Sequence, residues 1–121
     1  MTSAQPTAAL DVTPEPIFEA FTGFMASKHM FAASEIGLFE RLRGGQATLE
    51  ELAAGTAVPP RTLRILADAM VALGLVERDG DHYANSPVAA SFLSGSGPAD
   101  LRPLLRMANQ LLYSRWLRFD E

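Results

Sequence analysis

The sequence predicts a mainly α domain carrying one small β-hairpin, arranged as a winged helix. Three observations lead there. Two helical segments are joined by a short link, a hairpin signal follows the second at once, and long apolar-periodic segments flank both. The 121 residues fit one domain, and 48% apolar content is enough for a core.

Residues 1–14 are rich in Pro, Ala, Thr and Ser and read as a mobile arm, without the cationic start or apolar run of a signal peptide. No stretch approaches the ~18 consecutive apolar residues of a membrane span. The absence of cysteine excludes a disulfide framework, a thiolate metal site and a Cys nucleophile together, and a cytoplasmic location is the expectation.

Pro14 and Pro16 mark the entry to a long helical segment. Ile17, Phe21, Phe24, Met25, Phe31 and Ala32 fall at the spacing of one helical face. Phe18, Ala26, Met30 and Ala33 lie off the centre of that face, so this helix needs cover on more than one side. A small domain has little mass to provide it, which implies a second subunit or domain. Gly37 should interrupt the helix, with Leu38, Phe39 and Leu42 forming a further turn that stops at Gly44-Gly45.

Thr48 opens the next helix, and Glu51 three residues on completes a capping box. After the link "AGTAVP", Pro60 suits an early helical position and Gly74 the left-handed position past the end. Leu63, Leu66, Ala67, Met70, Val71 and Leu73 give this helix a core stripe. Asp79-Gly80 predicts the tight turn of a hairpin built from "LVER" and "HYAN". Ser86 caps a short helix with Pro87 at its first position. "SGSGP" is a loop. Residues 99–121 then form an amphipathic helix with Leu101, Leu104, Leu105, Ala108, Leu111, Leu112 and Trp116 on one broad face. It carries no C-cap, and an ending soon after Trp116 and Phe119 is expected to be cut off rather than finished.

Ten Lys and Arg face fourteen Asp and Glu, and a net charge of −4 is the wrong sign for a free-standing nucleic-acid binder. The second helix of the pair offers Arg61, Thr62 and Arg64, then Asp68. The hairpin sets Glu77, Asp79 and Asp81 against Arg78 alone, and such a wing is repelled by phosphate. Arg102, Arg106, Arg115 and Arg118 read as a solvated or interdomain face of the last helix. A stand-alone winged-helix DNA-binding regulator is thus a disfavoured alternative.

Catalytic groups are scarce. His29, between Lys28 and Met30, reads as a core or interface histidine holding a backbone contact, with a base reaching a substrate as the other reading. His82 reads as solvated, and two histidines so far apart predict no metal site. Neither "RGGQ" nor "SGSGP" follows a strand or has the order of a phosphate-binding loop, so no catalytic residue and no bound cofactor is assigned. Met25, Met30, Met70 and Met107 suit either irregular core gaps or an apolar pocket wall. Tyr113 and Trp116 are stronger ligand candidates, each an apolar body with a polar tip.

"SKHMFAASEIGLFERL", "TLEELAAGTAVPPRTLRILADAMVALGLVERDGDHYANSPVAASFL" and "PLLRMANQLLYSRWLRF" together resemble the N-terminal domain of small-molecule O-methyltransferases, above all the bacterial polyketide and aromatic-natural-product enzymes. The ordered series carries the resemblance: A-x-x-x-x-G-L-F, then T-x-x-E-L-A, R-x-L-x-x-L, L-G-L and a closing W, spanning residues 15–119. It implies a winged-helix-like domain in an intertwined homodimer, with Phe18, Phe21, Phe24, Met25 and Phe31 at the interface. It implies a wall around a small aromatic molecule to which Met25, His29, Met107, Gln110, Tyr113 and Trp116 contribute. It also implies a catalytic domain, in cis or in trans, that binds S-adenosylmethionine and supplies a histidine base. That fold is absent from these residues, so residues 120–121 are expected to begin the linker to it. This chain alone should neither bind the cofactor nor transfer a methyl group. The expected function is dimerisation and substrate enclosure for an O-methyltransferase; a free-standing small-molecule-binding or cyclising protein derived from that domain is another reading. Neither a nucleic acid nor a membrane is expected as partner.

Overall fold

Pro14 and Pro16 lie at the start of the first helix, where a missing N–H breaks no helical hydrogen bond. The computed structural model describes residues 12–118, apart from the side chains of Tyr113 and Trp116. Of the expected arm over residues 1–14, residues 1–11 lie outside the described residues, as do Phe119 and residues 120–121.

Helix α1 runs Glu15–Glu35 and stops at Gly37, whose φ of 82° is left-handed and breaks the helix as expected. The single turn α2, Leu38–Arg41, buries Leu38 and Phe39 completely. The helix-turn-helix follows as α3, Leu49–Thr56, and α4, Pro60–Ala72. The capping box forms: Thr48 Oγ1 accepts from Glu51 N at 3.2 Å, and Thr48 N donates to Glu51 Oε1 at 2.8 Å. Of the expected stripe on α4, Leu63, Ala67 and Met70 are buried, whereas Leu73 at the frayed last turn is 42% exposed.

The hairpin strands are β2, Val76–Asp79, and β3, His82–Asn85. Two corrections arise here. Asp79 pairs with His82, so it belongs to the strand and the expected loop of Asp79, Gly80 and Asp81 shortens to Gly80-Asp81. Gly80 has φ 65° at the first central position, where a type II′ turn takes glycine. The sheet is also larger than a hairpin. A two-residue strand β1, Ala47–Thr48, pairs antiparallel with β3, giving the order β1-β3-β2. Two residues carry no period-2 signal, which is why the sequence hides them.

Ser86 caps α5, Pro87–Phe92, by accepting from Ala89 N at 3.3 Å. The last helical stretch is α6, Arg102–Met107, a π-helical turn at Ala108–Leu112, and α7, Tyr113–Trp116. The π turn was not expected from the sequence. By adding a residue to one turn, it rotates everything after it relative to a regular helix.

The core joins the C-terminal end of α1 to α2, the helix pair, the sheet and α5, through Ala33, Phe39, Leu52, Leu63, Met70 and Tyr83. Within this chain α1 packs through Ala33, with Met30 beside the core, and leaves Ile17, Phe21 and Phe24 uncovered. A helix apolar on several sides gives no single direction to read. Among the described residues no helix is long and apolar enough to cross a membrane.

Candidate functional site

Residues 12–25 are exposed throughout, so the first half of α1 projects beyond the core. Ile17, Phe18, Phe21, Phe24 and Met25 are between 44% and 70% exposed there and form one broad stripe. A bare helical stretch this short is marginal in water, and apolar groups this large are seldom left uncovered in a run. Phe31, expected at the same interface, is placed elsewhere: it is half-buried in the seam between α1 and α6, beside Leu105 and Asn109.

His29 is half-buried, and its Nδ1 lies 2.7 Å from Met25 O. A carbonyl only accepts, so Nδ1 carries the proton and Nε2 is the acceptor in the neutral ring. The backbone contact expected of this histidine is therefore present.

Helix α6 runs antiparallel to α1 and is tied to it by polar contacts along its length. Lys28 Nζ donates to Asn109 Oδ1 at 2.6 Å, and Arg106 Nε to Glu35 Oε1 at 3.0 Å. Arg102 Nη1 donates to Glu40 Oε2 at 2.8 Å, while its Nε and Nη2 grip Asp100 at 2.8 Å each. The hydrogen bonds from Arg102 hold the Asp100 carboxyl down at about 2. Asp100 and Glu40 in turn push the Arg102 guanidinium up, and Glu35 does the same to Arg106. Arg102 thus departs from the expectation of a solvated or interdomain basic face, being half-buried and paired inside the domain, whereas Arg106 stays exposed while pairing with Glu35. Besides Asp100, which is two residues from Arg102, their acidic partners Glu40 and Glu35 lie 62 and 71 residues away, beyond any local charge pattern.

Two open clefts of similar size border these helices. One, of about 310 Å³, is polar and lined by Ser34, Glu40, Asp100, Arg102, Pro103 and Arg106. The other, of about 300 Å³, is apolar and lies between Ala26, Ser27 and Met30 of α1 and Leu73 and Leu75. Met25, His29, Met107 and Gln110 line neither. Met107 and Gln110 are exposed on the last helical stretch, and the side chains of Tyr113 and Trp116 lie outside the described residues. The fold brings α1 and α6 together without closing a pocket from the residues named in advance.

On the winged side, Arg78 is held by Asp68 at 3.0 Å and by Gly80 O at 2.7 Å, and Tyr83 Oη donates to Asp68 at 2.8 Å. The one cation of the wing is therefore neutralised by the helix that would have to read DNA.

S-adenosylmethionine does not fit what these residues form. The three described strands make one antiparallel sheet, without the strand–helix unit at whose carboxyl edge such a cofactor lies. The glycines of the "SGSGP" loop are packed by the chain itself. A Cβ on Gly97 would collide with the backbone of Ser91, and one on Gly95 would lie 2.6 Å from the Arg102 guanidinium. Among the described residues no group of three or more His, Asp or Glu side chains gathers that could hold a metal.

A projecting apolar helix on a small winged-helix core defines an association module. The family model of the O-methyltransferase dimerisation domain matches residues 18–95, and the chain belongs to that family. The chain is 37% identical over 109 residues to the tetracenomycin polyketide synthesis 8-O-methyl transferase TcmO of Streptomyces glaucescens, covering 89% of this chain and 32% of the relative. It is 39% identical over 77 residues to the N,N-dimethyltransferase OxyT of Streptomyces rimosus, covering 64% of this chain and 22% of that one. Human N-acetylserotonin methyltransferase, solved in complex with SAM, superposes with a TM-score of 0.78 at 27% identity, over 84% of this chain and 31% of its own. The chain thus spans about a third or less of the length of these relatives.

Proposed function

We propose that this chain is the dimerising and substrate-enclosing part of an S-adenosylmethionine-dependent methyltransferase acting on an aromatic or polyketide product. The observation that carries the reading is the projecting stripe of Ile17, Phe18, Phe21, Phe24 and Met25. A second copy supplies the missing cover, and the stripe becomes the centre of a homodimer interface. Phe31 supports it from the seam. The exposed Met107 and Gln110, with Tyr113 and Trp116 further along, form one side of a substrate wall, and Met25 and His29 of α1 form another. The pocket is completed by a catalytic domain, in cis or in trans, which holds the cofactor and the base.

Sedimentation velocity of the 121-residue chain across a wide concentration range tests the core of this reading. A dimer is expected, converted to a folded monomer by Phe21→Glu together with Phe24→Glu. A wild-type chain that stays monomeric at the highest concentration would overturn it.

A further inference from the structure

The last helical stretch is attached in an unusual way. From Arg102 to Leu112 no residue is buried, and Leu105 alone packs against the core. Leu101, Leu104, Met107, Leu111 and Leu112 all remain more than 40% exposed. The polar contacts, by contrast, are spread along the whole seam. Arg102 reaches Glu40, Arg106 reaches Glu35, and Asn109 takes Lys28 Nζ. Asp100 Oδ1 also accepts from Arg102 N at 3.0 Å, which fixes the start of α6 while its two oxygens orient the guanidinium. The central groups are only partly shielded: Arg102 and Glu40 side chains are 29% and 25% exposed, and the Arg106–Glu35 pair is exposed.

We infer that Glu35, Glu40, Arg102 and Arg106 form an electrostatic strap that docks the last helical stretch onto α1 and α2, and that this stretch opens as a unit while the winged core stays folded. Apolar burial fixes the core, and charge fixes the strap, so the two respond to different conditions. Salt screens exposed and half-exposed pairs, and segments with little buried apolar surface open well below the free energy of global unfolding. Glu35 and Arg106 are therefore positioning residues. They set the distance between α1 and the face bearing Met107 and Gln110 without needing to touch a ligand. The strap does not depend on the function proposed above, since it concerns contacts within one chain.

Amide hydrogen exchange of the 121-residue chain, followed from low salt to 1 M sodium chloride, tests it. Exchange across residues 103–112 is expected to quicken about fivefold, while α4 and the β2–β3 hairpin keep their rates in the same sample. Glu35→Arg should give the fast exchange already at low salt, and Glu35→Arg with Arg106→Glu should restore slow, salt-sensitive exchange. Exchange in 103–112 that ignores salt, or that quickens in step with the hairpin, would overturn the strap. So would a double reversal no slower than the single one. The wild-type salt series decides the matter alone if a variant fails to fold.

Discussion

Tyr83 Oη donates a 2.8 Å hydrogen bond to Asp68 Oδ1, and that bond joins the central strand to the second helix of the helix-turn-helix. Tyr83 is 1% exposed, and burial, followed by the bond to Asp68, raises its pKa above the ordinary 10.0. A raised value means that the fold favours the neutral phenol. Its contribution is complete below pH 10 and is lost as pH rises through the folded value. Denaturant titrations should therefore show stability falling above that pH, and Tyr83→Phe should flatten this limb. The same substitution should cost about 1 kcal/mol at neutral pH.

Thr48→Ala is expected to lower stability by about 1 kcal/mol in urea unfolding, since one orphan amide of α3 loses its cap. The carboxyl of Glu51 is held low first by the backbone N–H of Thr48 and then by its hydroxyl. Alanine keeps the N–H. An NMR titration should thus find the Glu51 carboxyl moved only part of the way back toward its ordinary value.

Two phenylalanines should respond in opposite ways. Phe39 is fully buried, and Phe39→Ala is expected to cost about 3–5 kcal/mol at every protein concentration. Phe21 is 66% exposed in the single chain. Phe21→Ala should leave unfolding almost unchanged in dilute solution and reduce stability only where the chain associates. Unfolding measured at two protein concentrations separates the cases.

Asp100 should titrate near 2 by carboxyl NMR, and Arg102→Met should return it toward 3.8. The depressed value fixes the sign: the Asp100–Arg102 contribution is present above pH 3.8 and is lost as pH falls through about 2. Acid should loosen the start of α6 in this window, and the Arg102 variant should show no such step.

Local chemistry was readable from the sequence because its causes are local. Thr48 with Glu51, Ser86 with Pro87, and Gly37 each act on residues within a turn of themselves. The partner of Ala47 and Thr48 is 34 to 36 residues away, and Glu40 and Glu35 lie further still from Arg102 and Arg106, so nothing near them announces the pairing. Burial on α1 has no direction in the sequence for a different reason. Phe21 and Ala33 both lie on apolar faces, and only the assembled core shows that Ala33 is the one enclosed within the chain. The projecting stripe was legible as excess apolar surface, while the substrate wall was not, because exposed Met107 and Gln110 acquire a direction only from what is placed opposite them.

Helix α1 is one continuous element from the exposed stripe to the core. Lys28, which bonds Asn109 across the seam, stands about 20 Å from the start of the helix and about 10 Å from its end. One unbroken helix carries both the projecting stripe and Glu35, so the surface that awaits a second copy and the seam that holds the last helical stretch are ends of the same element.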